Sequence, residues 1–189
     1  QFGCETLAYW LRGAPRATFI VSSRERLLLP DEQLITVGAY LGQGLDKCSN
    51  DELRARLLGH LGVLEDLFGR PNQALDFITR AIHSLPARNV LELAQRRHHQ
   101  AVMLINLKRW DEAETVLTST LRLAQHIGAN RYITQTTCYL GILHLDRNQL
   151  LEAKTHLASA ISLARQSGFF WNQLGACFYS TMAHWLDGD

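Results

Sequence analysis

Small residues recur in this chain at fixed intervals, and that register restricts the available folds more than any other feature. Gly62, Ala101 and Gly141 stand 39 and 40 residues apart. Twelve residues after each comes an alanine: Ala74, Ala113 and Ala153. Each alanine opens an apolar stripe. The first reads Ala74, Phe77, Ile78, Ala81, Ile82 and Leu85, at the spacing of one face of an amphipathic helix. The second is Ala113, Val116, Leu117, Thr120, Leu121 and Ala124, and the third Ala153, His156, Leu157, Ala160, Ile161 and Ala164. Gly128 and Gly168 follow their stripe alanines by 15 residues, where glycine accepts the left-handed conformation that ends a helix. Alanines at positions where a generic core helix carries leucine imply that another backbone approaches there. Each copy therefore reads as helix, short turn, helix, with small residues letting the two helices meet.

The paired pattern resembles the tetratricopeptide repeat, with a small residue in the first helix and Ala-x3-hydrophobic-x2-Ala in the second. Its carriers are "LG" at Leu61–Gly62 and Leu140–Gly141, followed by "ALDFITRA", "AETVLTST" and "AKTHLASA". Thr120 departs from the second alanine, and Arg97 and Gln100 stand at expected apolar places in the middle unit. The unit, near 40 residues, resembles the long-helix form found in signalling scaffolds and in MalT/LuxR-type bacterial regulators. The resemblance implies an all-α fold of TPR-like helix-turn-helix repeats stacked into a right-handed superhelix, an α-solenoid.

On this reading residues 1–189 form one array. Residues 1–50 hold incomplete or degenerate units, 51–168 three clear repeats, and 169–189 the last helix of a truncated unit. Ser49 or Asn50 caps the first clear repeat. Residues 16–33, "RATFIVSSRERLLLPDEQ", admit two readings: a degenerate repeat broken at Pro30, or the edge of an ATPase module. The second lacks a phosphate-binding G-x-x-x-x-G-K-[ST] loop in this chain. The chain begins at Gln1 and stops at "LDGD", so it is expected to be a piece of a longer protein.

Composition narrows the function. With 47% apolar and 20% charged residues the chain suits an ordered array rather than a disordered tail. A net charge of +1 supplies no field to drive direct nucleic-acid or membrane association. The four cysteines show no CxxC or metal spacing, which fits a reducing, cytoplasmic setting. No catalytic constellation emerges. Ser22–Ser23 lacks the context of a nucleophile. In "RRHHQ" (residues 96–100), His98 and His99 project about 100° apart and cannot share an ion as an i, i+4 pair does. A solvated or peptide-facing surface is the expected role of that stretch. No enzyme activity, cofactor or metal is expected.

The resemblance further implies a concave wall lined by the first helix of each unit. By alignment its inward positions are Arg56, Gly59, Val63 and Asp66; Gln95, His98, Val102, Ile105 and Asn106; and Gln135, Cys138, Ile142 and Asp146. Chaperone-tail binders of this family clamp a terminal carboxylate with a Lys/Asn/Asn/Lys/Arg set. Gly59, Val63, His98 and Val102 occupy the corresponding places, so that clamp is absent. The mixed lining suits a helix or extended peptide of a protein partner. An alternative is the sensor part of a bacterial transcription regulator of the STAND/LuxR type. Finally, Phe178, Met182 and Trp185 share one face of the last helix, and self-association through that helix is expected. Trp185 folding back near Leu157 and Ile161 is the competing expectation.

Overall fold

The structure, a computed structural model, describes residues 37–188, with side chains from Leu41 onward. The readings of residues 16–33 and of the first incomplete unit lie outside the described residues. The packing below is that of the compact unit Leu41–Asp189.

Eight helices run through the described residues. They are α1 (Val37–Asp46), α2 (Asp51–Leu67), α3 (Pro71–Ser84), α4 (Val90–Asn106), α5 (Trp110–His126), α6 (Asn130–Asp146), α7 (Leu150–Ser167) and α8 (Phe170–Asp187). No strand occurs among the described residues. Local sequence explains the boundaries. The Asn50 Oδ1 accepts the Leu53 N–H at 2.9 Å and caps α2. Pro71 occupies the first turn of α3, where its missing N–H costs nothing. At the turn between first and second helices, each repeat places one residue at positive φ: Gly69 (71°), Lys108 (59°) and Asn148 (57°). Gly128 and Gly168 take the same conformation, at 65° and 70°, between repeats.

Every neighbouring pair from α2 to α8 packs together. The second helix of a repeat is sandwiched between two first helices. Ala113 and Leu117 of α5 meet Ala101, Leu104 and Ile105 of α4 and Leu140 and Leu143 of α6. One repeat on, Ala153, Leu157 and Ala160 of α7 meet Cys138 of α6 and Ala176 and Ala183 of α8. Leu58 and Leu61 of α2 pack with Ala81 of α3 and Leu45 of α1. This is an α-solenoid, in which each hairpin buries its apolar stripe only against its neighbours.

The small residues mark the closest approaches. A Cβ at Gly62 would stand 2.7 Å from Ile78 Cδ1 and 3.1 Å from the Ala74 carbonyl oxygen. At Gly141 it would stand 2.6 Å from Leu157 Cγ and 3.2 Å from the Leu157 nitrogen. Ala74, Ala101, Ala113 and Ala153 are fully buried. Thr120 fits the second-alanine place because its hydroxyl donates to the Val116 carbonyl at 2.7 Å, which satisfies the one polar atom that alanine lacks.

Candidate interaction groove

Consecutive first helices touch one another: α2 with α4, α4 with α6, and α6 with α8. Consecutive second helices, α3, α5 and α7, do not. A row of helices in contact on one side and splayed on the other is curved, with the touching row inside. The inner wall is therefore built from α2, α4, α6 and α8.

The inward positions expected from sequence divide into three groups. Arg56, Asn106 and Asp146 are exposed, whereas Val63, Asp66, Gln95, Val102, Gln135 and Ile142 are half-buried. Gly59, His98, Ile105 and Cys138 are buried. His98 and Cys138, expected to line the groove, are thus withdrawn from solvent. His98, 5% exposed, lies beneath the neighbouring first helix with its ring edge-on to Tyr139, 5.0 Å between centroids. Cys138 has joined the apolar cluster around Leu157, and burial pushes its thiol up to about 11, which keeps it protonated and unreactive. Cys177, on the next first helix, is likewise a free thiol.

The first helices are also stitched together near their C-terminal ends. Asn106 Nδ2 donates to Asp66 Oδ1 at 3.2 Å. One repeat on, Lys108 Nζ lies 2.7 Å from Asp146 Oδ2. Three polar groups expected to face a ligand, Asp66, Asn106 and Asp146, are thus already engaged across successive repeats, the last by Lys108.

The centre of the wall carries a buried polar cluster. Arg96 is 2% exposed and ion-paired to Glu92 one turn earlier. Its guanidinium lies flat over Gly59 of α2; a Cβ there would stand 2.2 Å from the Arg96 Cζ. Gly59 is thus the space that Arg96 fills. His99 is half-buried beside His98, 5.9 Å between ring centroids. Nδ1 of His98, Nδ1 of His99 and Nε of Arg96 are all enclosed without a hydrogen-bond partner. Burial, reinforced by His99 and Arg131, depresses His98 to about 3. Burial and the Arg96 charge, partly offset by Glu92, depress His99 to about 4. Both rings are neutral at pH 7. Burial also raises Tyr139 to about 12, so its phenol stays protonated. Of "RRHHQ", expected to be a solvated or peptide-facing surface, Arg96 and His98 are interior, while Arg97, His99 and Gln100 are half-buried. A glycine in the preceding first helix, thirty-nine residues before His98, was the available sign.

A second histidine pair lies further along. His144 and His156 stack with rings 5.2 Å apart and nearly parallel, at 6°, and His144 Nδ1 is held by Gln149 Oε1 at 2.8 Å. Parallel rings direct their nitrogens alongside one another and do not converge on an ion.

Comparison with known proteins adds to the fold. The crystal structure of aspartyl phosphate phosphatase F from Bacillus subtilis matches this chain with a TM-score of 0.72 at 16% identity. The match covers 79% of this chain and 40% of that one. The likeness is one of fold. This chain spans less than half the length of that neighbour, and the activity in its name belongs to that protein. No family model and no curated protein matches the sequence.

No helix among the described residues is long and apolar enough to cross a membrane.

Proposed function

We propose that this chain is a protein–protein interaction module, a scaffold segment that binds a partner peptide or helix along the wall made by α2, α4 and α6. The observation behind this reading is the division of labour within each repeat. Second helices spend their apolar stripe on both neighbours, whereas first helices keep a row of half-buried side chains on the side that faces no helix. Gln95, Val102 and Gln135 belong to that row, while Ile142 packs against the apolar cluster around Leu157. A mixed apolar and amide surface on rigid helices offers anchor pockets and hydrogen-bonding groups without needing to reorganise. The tightly packed core behind it holds the wall in shape before any ligand arrives.

Such a module acts by holding and presenting, with no chemistry of its own. It fits an adaptor within a signalling or regulatory protein. The test is selection of binding peptides from a displayed random library, followed by Val102→Arg and Gln135→Arg on the wall. Thr115→Arg on exposed α5 serves as the outer-face control. Loss of binding in the wall variants with retention in the control is the expected result. Binders lost only with Thr115→Arg would move the site to the outer face.

A further inference from the structure

The first helices α2, α4 and α6 together carry five arginines and six carboxylates, but Arg56, Arg96 and Arg131 lie in the N-terminal halves of these helices, whereas Asp66 and Asp146 lie at their C-terminal ends, held by Asn106 and Lys108. On α2, Arg56, Gly59 and His60 share one face at i, i+3 and i+4. That face is the one on which the Arg96 guanidinium rests. Arg56 and His60 are exposed, and Arg56 pairs with no carboxylate among the described residues. His60 is close enough to His99 for their charges to interact. On α6, Arg131 is exposed, reaches both His98 and His99 electrostatically, and pairs with no carboxylate among the described residues. Between the two helices lie Arg96, His98 and His99, each with an enclosed nitrogen lacking a partner. Glu92 is the acidic residue in contact with this cluster, and it is engaged by Arg96. The whole chain carries only +1, so this surplus is local rather than a general basic character.

We propose that the wall across α2, α4 and α6 seats an acidic peptide segment, with Arg56 and Arg131 receiving its carboxylates and Arg96 and His99 behind them. The proposal deepens the groove reading and rests on it. Charge complementarity selects the occupant. Each exposed guanidinium can take a separate peptide carboxylate in charge-assisted hydrogen bonds, since Arg presents five donors in a planar fork suited to it. A turn of the His99 ring about its terminal bond would bring Nδ1 from its enclosed position toward the incoming carboxylate. A neutral peptide offers these groups only weaker, uncharged acceptors, and a basic one is repelled by them. The seat differs from the terminal-carboxylate clamp of chaperone-tail binders, because the side chains at those places are glycine, valine and histidine.

The test uses the 189-residue chain with three fluorescent peptides of alternating sequence, Glu/Ala, Gln/Ala and Lys/Ala. Affinity is read by anisotropy and the histidine ring nitrogens by 15N spectroscopy. The Glu/Ala peptide is expected to bind saturably, to weaken as salt is raised, and to shift the His98 and His99 ring signals. Arg131→Glu and Arg56→Glu should each weaken it by about tenfold or more. Arg165→Glu, exposed on α7, should leave the affinity unchanged. Equal affinity for Glu/Ala and Gln/Ala peptides, unchanged in Arg131→Glu, overturns the acidic seat while leaving the groove standing. Preference for the Lys/Ala peptide overturns it in the opposite sense. If free glutamate moves the histidine signals at the same concentration as the peptide, the site takes a small anion and the peptide proposal falls. No binding by any peptide, with unmoved histidine signals, overturns the seat and the groove together.

Discussion

At the scale of single residues, the two glycines of α2 have different neighbours and should respond differently to the same change. A methyl group at Gly62 meets the Ile78 side chain and the Ala74 backbone, neither of which can yield without parting α2 from α3. A methyl group at Gly59 meets only the tip of Arg96, a flexible side chain that can swing away. Gly62→Ala is therefore expected to destabilise more than Gly59→Ala in chemical denaturation, and the reverse ranking would contradict the packing. Overpacking at Gly141→Leu or Ala113→Leu should cost roughly 1–3 kcal/mol. Unchanged melts for both would place these residues in solvent. The histidine pair gives a pH signature. His98 and His99 titrate near 3 and 4 when folded, against an ordinary value of 6.5. Between those limits the unfolded chain binds more protons than the folded one, so stability falls as pH drops below about 6.5. The slope is about 1.4 kcal/mol per pH unit for each histidine. A His98→Gln, His99→Gln variant should flatten the curve between pH 6 and about 4; an identical slope would show that the rings are not held neutral.

At the scale of elements, the turns and stripes carry the repeat. Gly69 has positive φ and open space where a Cβ would stand. Gly69→Ala should therefore cost about 1 kcal/mol by backbone strain alone, read as a lowered denaturation midpoint. An unchanged midpoint would mean that the turn relaxes into another conformation. These elements were legible in the sequence for a physical reason. Close helix contact demands alanine or glycine at fixed offsets, and left-handed turns favour glycine or asparagine, so packing constraints leave a residue-type signature. Lys108, at positive φ in the same turn of the middle repeat, left no such sign. The centre of the wall was less legible. Arg96 and His98 look like surface residues because burial of polar side chains depends on what the neighbouring helix leaves open. That information sits in Gly59 of another repeat and becomes readable only when the helices are placed side by side. Cys138 was ambiguous in sequence for a related reason: a small, weakly polar side chain suits either a groove or a core.

At the scale of the whole molecule, the described solenoid pairs a rigid wall with the exposed face of its last described helix. The last helix, α8, leaves Phe178, Trp171 and Trp185 outside the core, with Trp185 76% exposed rather than folded back toward α7. Large exposed apolar side chains favour association, each worth roughly 1.5–3 kcal/mol when fully covered. Sedimentation should show concentration-dependent self-association that is lost in a Trp185→Glu, Met182→Glu variant; monomers throughout for both would remove α8 as a contact. A partner is expected to bind along the wall of α2, α4 and α6. Hydrogen exchange of the chain, with and without a library-selected peptide, tests it most directly. The expected result is added protection in α2, α4 and α6, with α3, α5 and α7 unchanged. Protection confined to the second helices would contradict the account.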